Sequence, residues 1–226
     1  MTGVRIALDD GTTVSGLADV PAAPHAVYVF AHGAGAGMAH PFMAAFARDL
    51  ALLGIATLRY RFPYMERGSK RPDTPKVAHA AVRAAVAHAA VTFPDLPIFA
   101  GGKSFGGRMT SQAQADTALP GVRGLVFVGF PLHPAGKPAT ERADHLARVQ
   151  VPMLFLSGTR DELAQLNLLE PVVQKLGPRA TLVLYDDADH SLHVPARSGR
   201  SDAQVRGQMA ADTANWIAGI AAHKPS

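Results

Sequence analysis

Two hydrophobic patterns alternate along this chain. Short, almost wholly apolar runs are separated by longer Ala-rich stretches whose apolar residues recur every three or four positions. The first pattern is typical of buried parallel strands, and the second of helices that cover a sheet. The predicted strands are 26–31, 55–59, 97–100, 124–128, 152–156 and 181–185. The predicted helices are 41–53, 75–91, 106–115, 166–176 and 203–222.

The start of the chain follows a different pattern. Between residues 4 and 20, apolar and polar positions alternate around the turn-forming sequence Asp9-Asp10-Gly11, which predicts an antiparallel hairpin at the edge of the sheet. The chain has 226 residues, no internal repeat and no long linker. We therefore expect one α/β domain over 1–226, with a doubly wound, mostly parallel sheet and an antiparallel N-terminal edge.

Composition narrows the possible chemistry and partners. There is no cysteine, so a thiol nucleophile, a disulfide and a cysteine-based metal site are excluded. The formal net charge is only +4, too small and scattered to indicate nucleic-acid binding. No apolar run reaches the roughly 18–20 residues of a membrane span, and residues 1–13 do not resemble a signal peptide. We expect a cytoplasmic protein that binds neither nucleic acid nor membrane.

The most informative motif is Gly102-Lys103-Ser104-Phe105-Gly106. It has the form G-x-S-x-G and stands between a predicted strand and a predicted helix, where such a motif forms a sharp turn that exposes a nucleophilic serine. Its ending Gly-Lys-Ser also matches a P-loop. The first glycine that a P-loop requires is Pro97 here, which excludes that reading.

A serine hydroxyl needs a base, and the base needs an orienting acid. Asp161 follows the predicted strand 152–156, and His190 follows the predicted strand 181–185. Because parallel strands present their carboxyl ends at one edge of a sheet, we expect Ser104, Asp161 and His190 to meet there. The sequence leaves rivals open. These are Glu162, Asp187 and Asp189 for the acid, and His193 for the base.

A tetrahedral intermediate also needs hydrogen-bond donors for its oxyanion. Backbone amides usually supply them, one from the residue after the nucleophile and one from a loop that follows an earlier strand. Phe105 occupies the first of these positions. Ala34, in the Gly-rich loop after strand 26–31, occupies the second.

Several of these segments together resemble a known family. They carry a resemblance to the α/β-hydrolase superfamily, specifically its small lid-less branch related to dienelactone hydrolases and to the hydrolase-like subunit of the nonspecific-lethal chromatin complex. The similarity implies a triad of Ser104, Asp161 and His190, oxyanion amides of Ala34 and Phe105, and no cofactor or metal. The segments are HGAGAGMAHPFM (32–43), RFPYMERGSKRPD (61–73), GGKSFGGR (101–108), GTRDE (158–162) and DADHS (187–191).

The sequence says less about the substrate. Between residues 130 and 152 the chain is too short for a helical cap domain, so we expect an open site that accepts small carboxylic esters. Arg59, Arg61 and Lys103 are candidates for binding an anionic substrate group, although such side chains commonly pair within the protein or face water. A dienelactone or carbon–carbon bond hydrolase and a non-catalytic binding protein remain alternatives, and the oligomeric state is open.

Overall fold

The computed structural model describes residues 1–222, and an eight-stranded sheet forms its centre. In space the strands run β1-β2-β4-β3-β5-β6-β7-β8. β1 and β2 form an antiparallel hairpin, β2 pairs antiparallel with β4, and the remaining neighbours are parallel. The strands are β1 (Thr2–Ala7), β2 (Thr13–Asp19), β3 (Ala26–Ala31), β4 (Ile55–Tyr60), β5 (Ile98–Lys103), β6 (Val122–Val128), β7 (Met153–Gly158) and β8 (Ala180–Tyr185).

Helices cover both faces of this sheet. Apolar side chains of α3, α4 and α5 pack in one core, and those of α1 and α6 pack in a second core on the opposite face. The predicted fold class is therefore confirmed, including the antiparallel edge. The helices are α1 (Pro41–Leu52), α2 (Pro63–Glu66), α3 (Pro75–Thr92), α4 (Phe105–Asp116), α5 (Leu166–Leu176) and α6 (Asp202–Ala222).

The central strands explain why their sequences are so apolar. β3 and β4 are buried along their whole length, as is β7, because helices cover both of their faces. β8 is different. Only Tyr185 of its six residues is fully buried, since β8 lies at the edge of the sheet and pairs with β7 alone.

The connection from β6 to β7 carries no cap domain. It contains one short 3₁₀ helix, Glu141–Arg148, which packs against α4 and α5. This leaves the carboxyl edge of β5 open beside the loop. Among residues 1–222, no helix has both the length and the apolar character needed to cross a membrane.

Candidate active site

Ser104 occupies a strained turn between β5 and α4. Its backbone has φ 49° and ψ −114°, a left-handed region that non-glycine residues rarely adopt. The turn is possible because the residues two positions before and after Ser104 are glycines. A Cβ atom would lie 2.4 Å from the Ala31 carbonyl oxygen at Gly102, and 2.5 Å from the same oxygen at Gly106. The strain and the close packing present the Ser104 hydroxyl at the sheet edge, as a nucleophile elbow does.

The structure brings the three predicted triad side chains together. His190 Nε2 lies 2.9 Å from Ser104 Oγ. On the other side of the ring, His190 Nδ1 lies 2.9 Å from Asp161 Oδ2 and 3.0 Å from Oδ1. Because Nδ1 faces a carboxylate, it carries the proton, and Nε2 is left free to accept one from the serine.

Asp161 and His190 differ in burial. The Asp161 side chain is fully buried, whereas 23 % of the His190 side chain is exposed. Asp161 Oδ1 also accepts a hydrogen bond from the amide of Leu163, at 2.8 Å. The carboxylate is thus fixed from both sides, and it can orient the imidazole and stabilise an imidazolium ion.

The rival acids and base lie elsewhere. Glu162 is exposed, and Asp189 accepts backbone hydrogen bonds from Ser191 and His193, which closes its own loop. The ring of His193 is 63 % exposed and pairs with Asp202. The amide of Asp187 donates to Thr159, and its φ of 59° shapes the turn after β8. None of these four side chains is bonded to Ser104 or His190.

The two amides predicted to bind an oxyanion belong to Ala34 and Phe105. The loop that contains Ala34 passes directly beside the nucleophile, since a Cβ atom at Gly33 would lie 3.8 Å from Ser104 Cβ. Phe105 is the first residue of α4. Within residues 1–222, the Ala34 and Phe105 amides donate to no other group of the protein. Both are therefore available to a substrate oxygen.

A buried histidine that the sequence analysis did not single out anchors this loop. His32 Nδ1 lies 2.8 Å from the carbonyl oxygen of Gly33, and its Nε2 accepts from the Phe62 amide at 3.1 Å. Burial, with a smaller contribution from the charge of Arg61, lowers the pKa of His32 to about 4. The ring is neutral at pH 7, so it ties the loop to the end of β4. A histidine directly before a Gly-rich loop was the available signal.

The prediction that Arg59 binds substrate is wrong. Arg59 is only 1 % exposed, and its guanidinium donates to Asp19 Oδ2 and to the Met38 carbonyl oxygen, each at 2.6 Å. A buried arginine requires such partners, because an unpaired charge in the interior is costly. Met38 lies in the loop that contains Ala34, so Arg59 holds the main chain of that loop through this hydrogen bond.

Lys103 and Arg61 also lie near the site. The ammonium group of Lys103 donates to the His190 carbonyl oxygen at 3.0 Å and lies 4.8 Å from the centre of the Phe42 ring. The ammonium group of Lys103 is therefore already bound within the protein, where it positions the segment that contains His190. Arg61 is partly buried. Against the effect of burial, hydrogen bonds from Ser15 and then the charge of Arg61 lower the pKa of Glu66.

Replacing Lys103 with methionine should lower kcat roughly tenfold and leave KM within about twofold. The reason is that the His190 carbonyl loses a charge-assisted donor, whose loss is typically felt at this level. Steady-state kinetics on a neutral ester checks the expectation. A raised KM with unchanged kcat would instead return Lys103 to substrate binding. Lys175→Met, on the exposed side of α5, is the matched control.

The same variant has a signature in stability against pH. Burial lowers the pKa of Lys103 from 10.5 to about 8, so between these values the unfolded chain binds more protons at this site than the folded protein. The contribution of Lys103 to the free energy of unfolding should therefore rise as pH increases from 8 towards 10. Urea titrations should show this rise in the wild type and in Lys175→Met, and a smaller one in Lys103→Met.

One cavity adjoins the site, and a larger one lies away from it. One of about 270 Å³ opens beside His190 and is lined by Arg160, Glu162, Leu163, Asp189 and Ser191. Another of about 550 Å³ lies between the β1–β2 hairpin, α2 and α3, and it contains none of the site residues. Over residues 1–222, no three His, Asp or Glu side chains are grouped to hold a metal ion.

Known proteins share this architecture. Residues 24–218 match a family described as "Alpha/beta hydrolase domain". Among solved structures, a dienelactone hydrolase from Anabaena variabilis is similar with a TM-score of 0.78 and 19% identity, over 96% of each chain. A serine hydrolase without lid from Xanthomonas campestris has a TM-score of 0.74 and 20% identity, over 95% of this chain and 94% of that one.

A third structure, an α/β serine hydrolase homologue from Coxiella burnetii, has a TM-score of 0.75 and 18% identity, over 93% of this chain and 96% of that one. At these identities, the similarity to solved structures supports the fold alone. The family match covers most of the sequence, and the resemblance to lid-less α/β hydrolases is confirmed. The chain belongs to the α/β-hydrolase family.

Proposed function

We propose that this protein is a serine hydrolase that cleaves small carboxylic esters through an acyl-enzyme intermediate. The observation that carries the proposal is the continuous line of contacts from the buried Asp161 carboxylate, through both nitrogens of His190, to Ser104 Oγ. The two unpaired amides beside the serine complete the groups that acyl transfer requires.

The geometry supports the following sequence of steps. His190 Nε2 takes the proton of Ser104, and the serine oxygen attacks the ester carbonyl carbon. The amides of Ala34 and Phe105 hold the negative oxygen of the tetrahedral intermediate. As the intermediate collapses, His190 gives its proton to the departing alcohol. Water, deprotonated by His190, then attacks the acyl group and releases the acid, which restores Ser104.

The open site supports small esters as the substrate class. The β6–β7 connection forms only a short 3₁₀ helix, so no element of it encloses a long acyl chain. A dienelactone-type or carbon–carbon bond hydrolase would use the same nucleophile on another electrophile. A non-catalytic binding protein of this fold would need no reactive serine.

Labelling of the serine tests the proposal directly. We expect a fluorophosphonate to modify the wild-type protein stoichiometrically, with the adduct on the peptide that contains Ser104, and we expect hydrolysis of 4-nitrophenyl acetate and butyrate. His190→Ala should abolish both signals. His193→Ala is the matched control, because this exposed histidine contacts Asp202 and lies outside the triad.

The possible outcomes separate the alternatives. Labelling without hydrolysis of either ester would favour a dienelactone-type or carbon–carbon substrate. A folded protein that neither labels nor hydrolyses would favour the binding protein. Labelling that persists in His190→Ala would remove His190 as the base.

A further inference from the structure

Two arginines near the nucleophile lack an oxygen acceptor among the described residues. Arg108 and Arg142 are both partly buried, yet within residues 1–222 neither guanidinium forms a hydrogen bond or an ion pair, and Arg108 Nε is fully enclosed without an acceptor. By contrast, Arg148, on the same 3₁₀ helix as Arg142, pairs with Asp116. A buried donor without an acceptor costs free energy, which applies to Arg108 Nε. Arg59 Nε is enclosed in the same way, but the rest of the Arg59 guanidinium is paired with Asp19 and Met38.

The two arginines lie on neighbouring elements, α4 and the 3₁₀ helix, that pack against each other. The 3₁₀ helix runs alongside α4, where His145 Nε2 lies 2.7 Å from Ser111 Oγ and Arg148 lies 3.7 Å from Asp116. One turn earlier on each element, this register places Arg142 beside Arg108. Burial, and then the nearby charge of Arg142, lower the pKa of Arg108, which agrees with this placement. Two like charges held together without a carboxylate form a strongly positive point.

This positive point lies beside the reacting serine. The amide of Arg108 donates to the Ser104 carbonyl oxygen at 3.1 Å, which places Arg108 one helical turn from the nucleophile. Side chains on a helix lean towards its N-terminus, which here is the end that holds Ser104. Consistent with this direction, the guanidinium carbon of Arg108 lies 5.9 Å from the centre of the Phe105 ring.

We infer that Arg108 and Arg142 form a subsite for a carboxylate carried by the acyl portion of the substrate. The inference rests on the proposed function, since it specifies the ester that Ser104 attacks. Two planar guanidinium groups suit the paired oxygens of a carboxylate, which would bind their terminal N–H groups and neutralise their repulsion. The preferred substrates are then half-esters of small dicarboxylic acids.

The faces of the sheet assign the carboxylate to the acyl portion. The departing alcohol must lie near His190, which protonates it, and the segment after His190 packs with α6 through Leu192 and Val194. Phe105 packs in the core on the opposite face, as does Leu146 of the 3₁₀ helix. Arg108 and Arg142 therefore lie across the nucleophile from the leaving group, where the acyl chain extends.

Matched ester pairs test the subsite. The probes are the monomethyl esters of succinate, glutarate and adipate, each compared with the neutral compound in which the free carboxylate is a carboxamide, with acid release followed in a pH-stat. We expect kcat/KM of the wild type to be at least roughly tenfold higher for the carboxylate member of one or more pairs. Added salt should reduce the preference, because it screens the charges.

Substitutions test which residues cause the preference for carboxylate esters. Arg142→Gln should remove most of it and leave hydrolysis of the carboxamide esters within about twofold, since Arg142 lies outside the triad and the oxyanion amides. Arg148→Gln, on the same 3₁₀ helix but paired with Asp116, should keep the preference. Arg108→Lys should retain part of it, because a lysine keeps the charge and loses the planar fork.

Three results would overturn the subsite. Neutral and carboxylate esters cleaved equally well by the wild type would remove it and leave the proposed function standing, as would a preference that Arg142→Gln does not change. If no ester of either kind is cleaved and Ser104 is not labelled by the fluorophosphonate, the proposed function fails and the subsite fails with it.

Discussion

Ser104→Ala should lower ester hydrolysis by about 10⁴-fold or more, because no other group in the site can form the acyl-enzyme. The fold should survive. Alanine has the same Cβ as serine, so the positive φ at this position is no more strained than before, and the free energy of unfolding should stay within about 1 kcal/mol. Hydrolysis of 4-nitrophenyl butyrate measures the loss of activity. Urea unfolding and circular dichroism measure whether the fold is kept.

Ser191→Ala is the matched control for this variant. Ser191 is adjacent to His190 in sequence, but its side chain is exposed and forms no hydrogen bond within residues 1–222. Its amide donates to Asp189. Its removal should leave the rate within about twofold. If Ser104→Ala kept most of the activity, the hydrolysis would come from another nucleophile and the acyl-enzyme scheme would be wrong.

Asp161→Asn should reduce kcat by about 10⁴-fold while KM changes little, the size of effect known for other triads. Asparagine fills the same space and can still accept from the Leu163 amide, so the fold is kept. Its amide, however, can turn NH₂ towards His190 Nδ1, which favours the tautomer protonated at Nε2. That nitrogen faces Ser104 and could then no longer accept the serine proton.

Glu162→Gln is the comparison that isolates the effect, because Glu162 is adjacent in sequence but exposed. It should retain activity within about twofold. An active Asp161→Asn together with an inactive Glu162→Gln would transfer the acid role to the neighbour. Circular dichroism of both variants distinguishes loss of the acid from loss of folding.

The fold was predictable because its long elements repeat a clear pattern. The predicted helix 166–176 coincides with α5, and the predicted strand 26–31 coincides with β3. Within residues 1–222, four short elements were missed, among them the three-residue 3₁₀ helices Gly177–Arg179 and Ala196–Ser198. Pro63–Glu66 makes only one turn and Glu141–Arg148 is a 3₁₀ helix, so neither is long enough to show a helical period.

The meeting of Ser104, Asp161 and His190 was predictable from the strand ends alone, since each follows a strand of the same parallel sheet. The choice of Asp161 over Glu162 was not. It depends on the turn after β7, where the Asp161 amide donates to the Gly158 carbonyl oxygen. That turn directs one side chain inwards and the next outwards, which no local pattern records.

The charged residues show where sequence reasoning reaches its limit. Arg59 interrupts an apolar strand, which signals a buried partner, but Asp19 lies 40 residues away on a neighbouring strand. Their contact depends on the register in which Asp19 faces Thr57 and Leu17 faces Arg59. Arg108 and Arg142 are brought near each other because α4 and a 3₁₀ helix pack side by side.

The position of β8 at the sheet edge has a consequence for local unfolding. Ser104 and Asp161 follow strands inside the sheet, whereas His190 follows a strand that is half exposed and has one neighbour. Edge elements open at a lower free energy than the core. The base therefore depends on the least protected strand of the site, and partial opening there would disable the protein while most of its sheet and both cores stay intact.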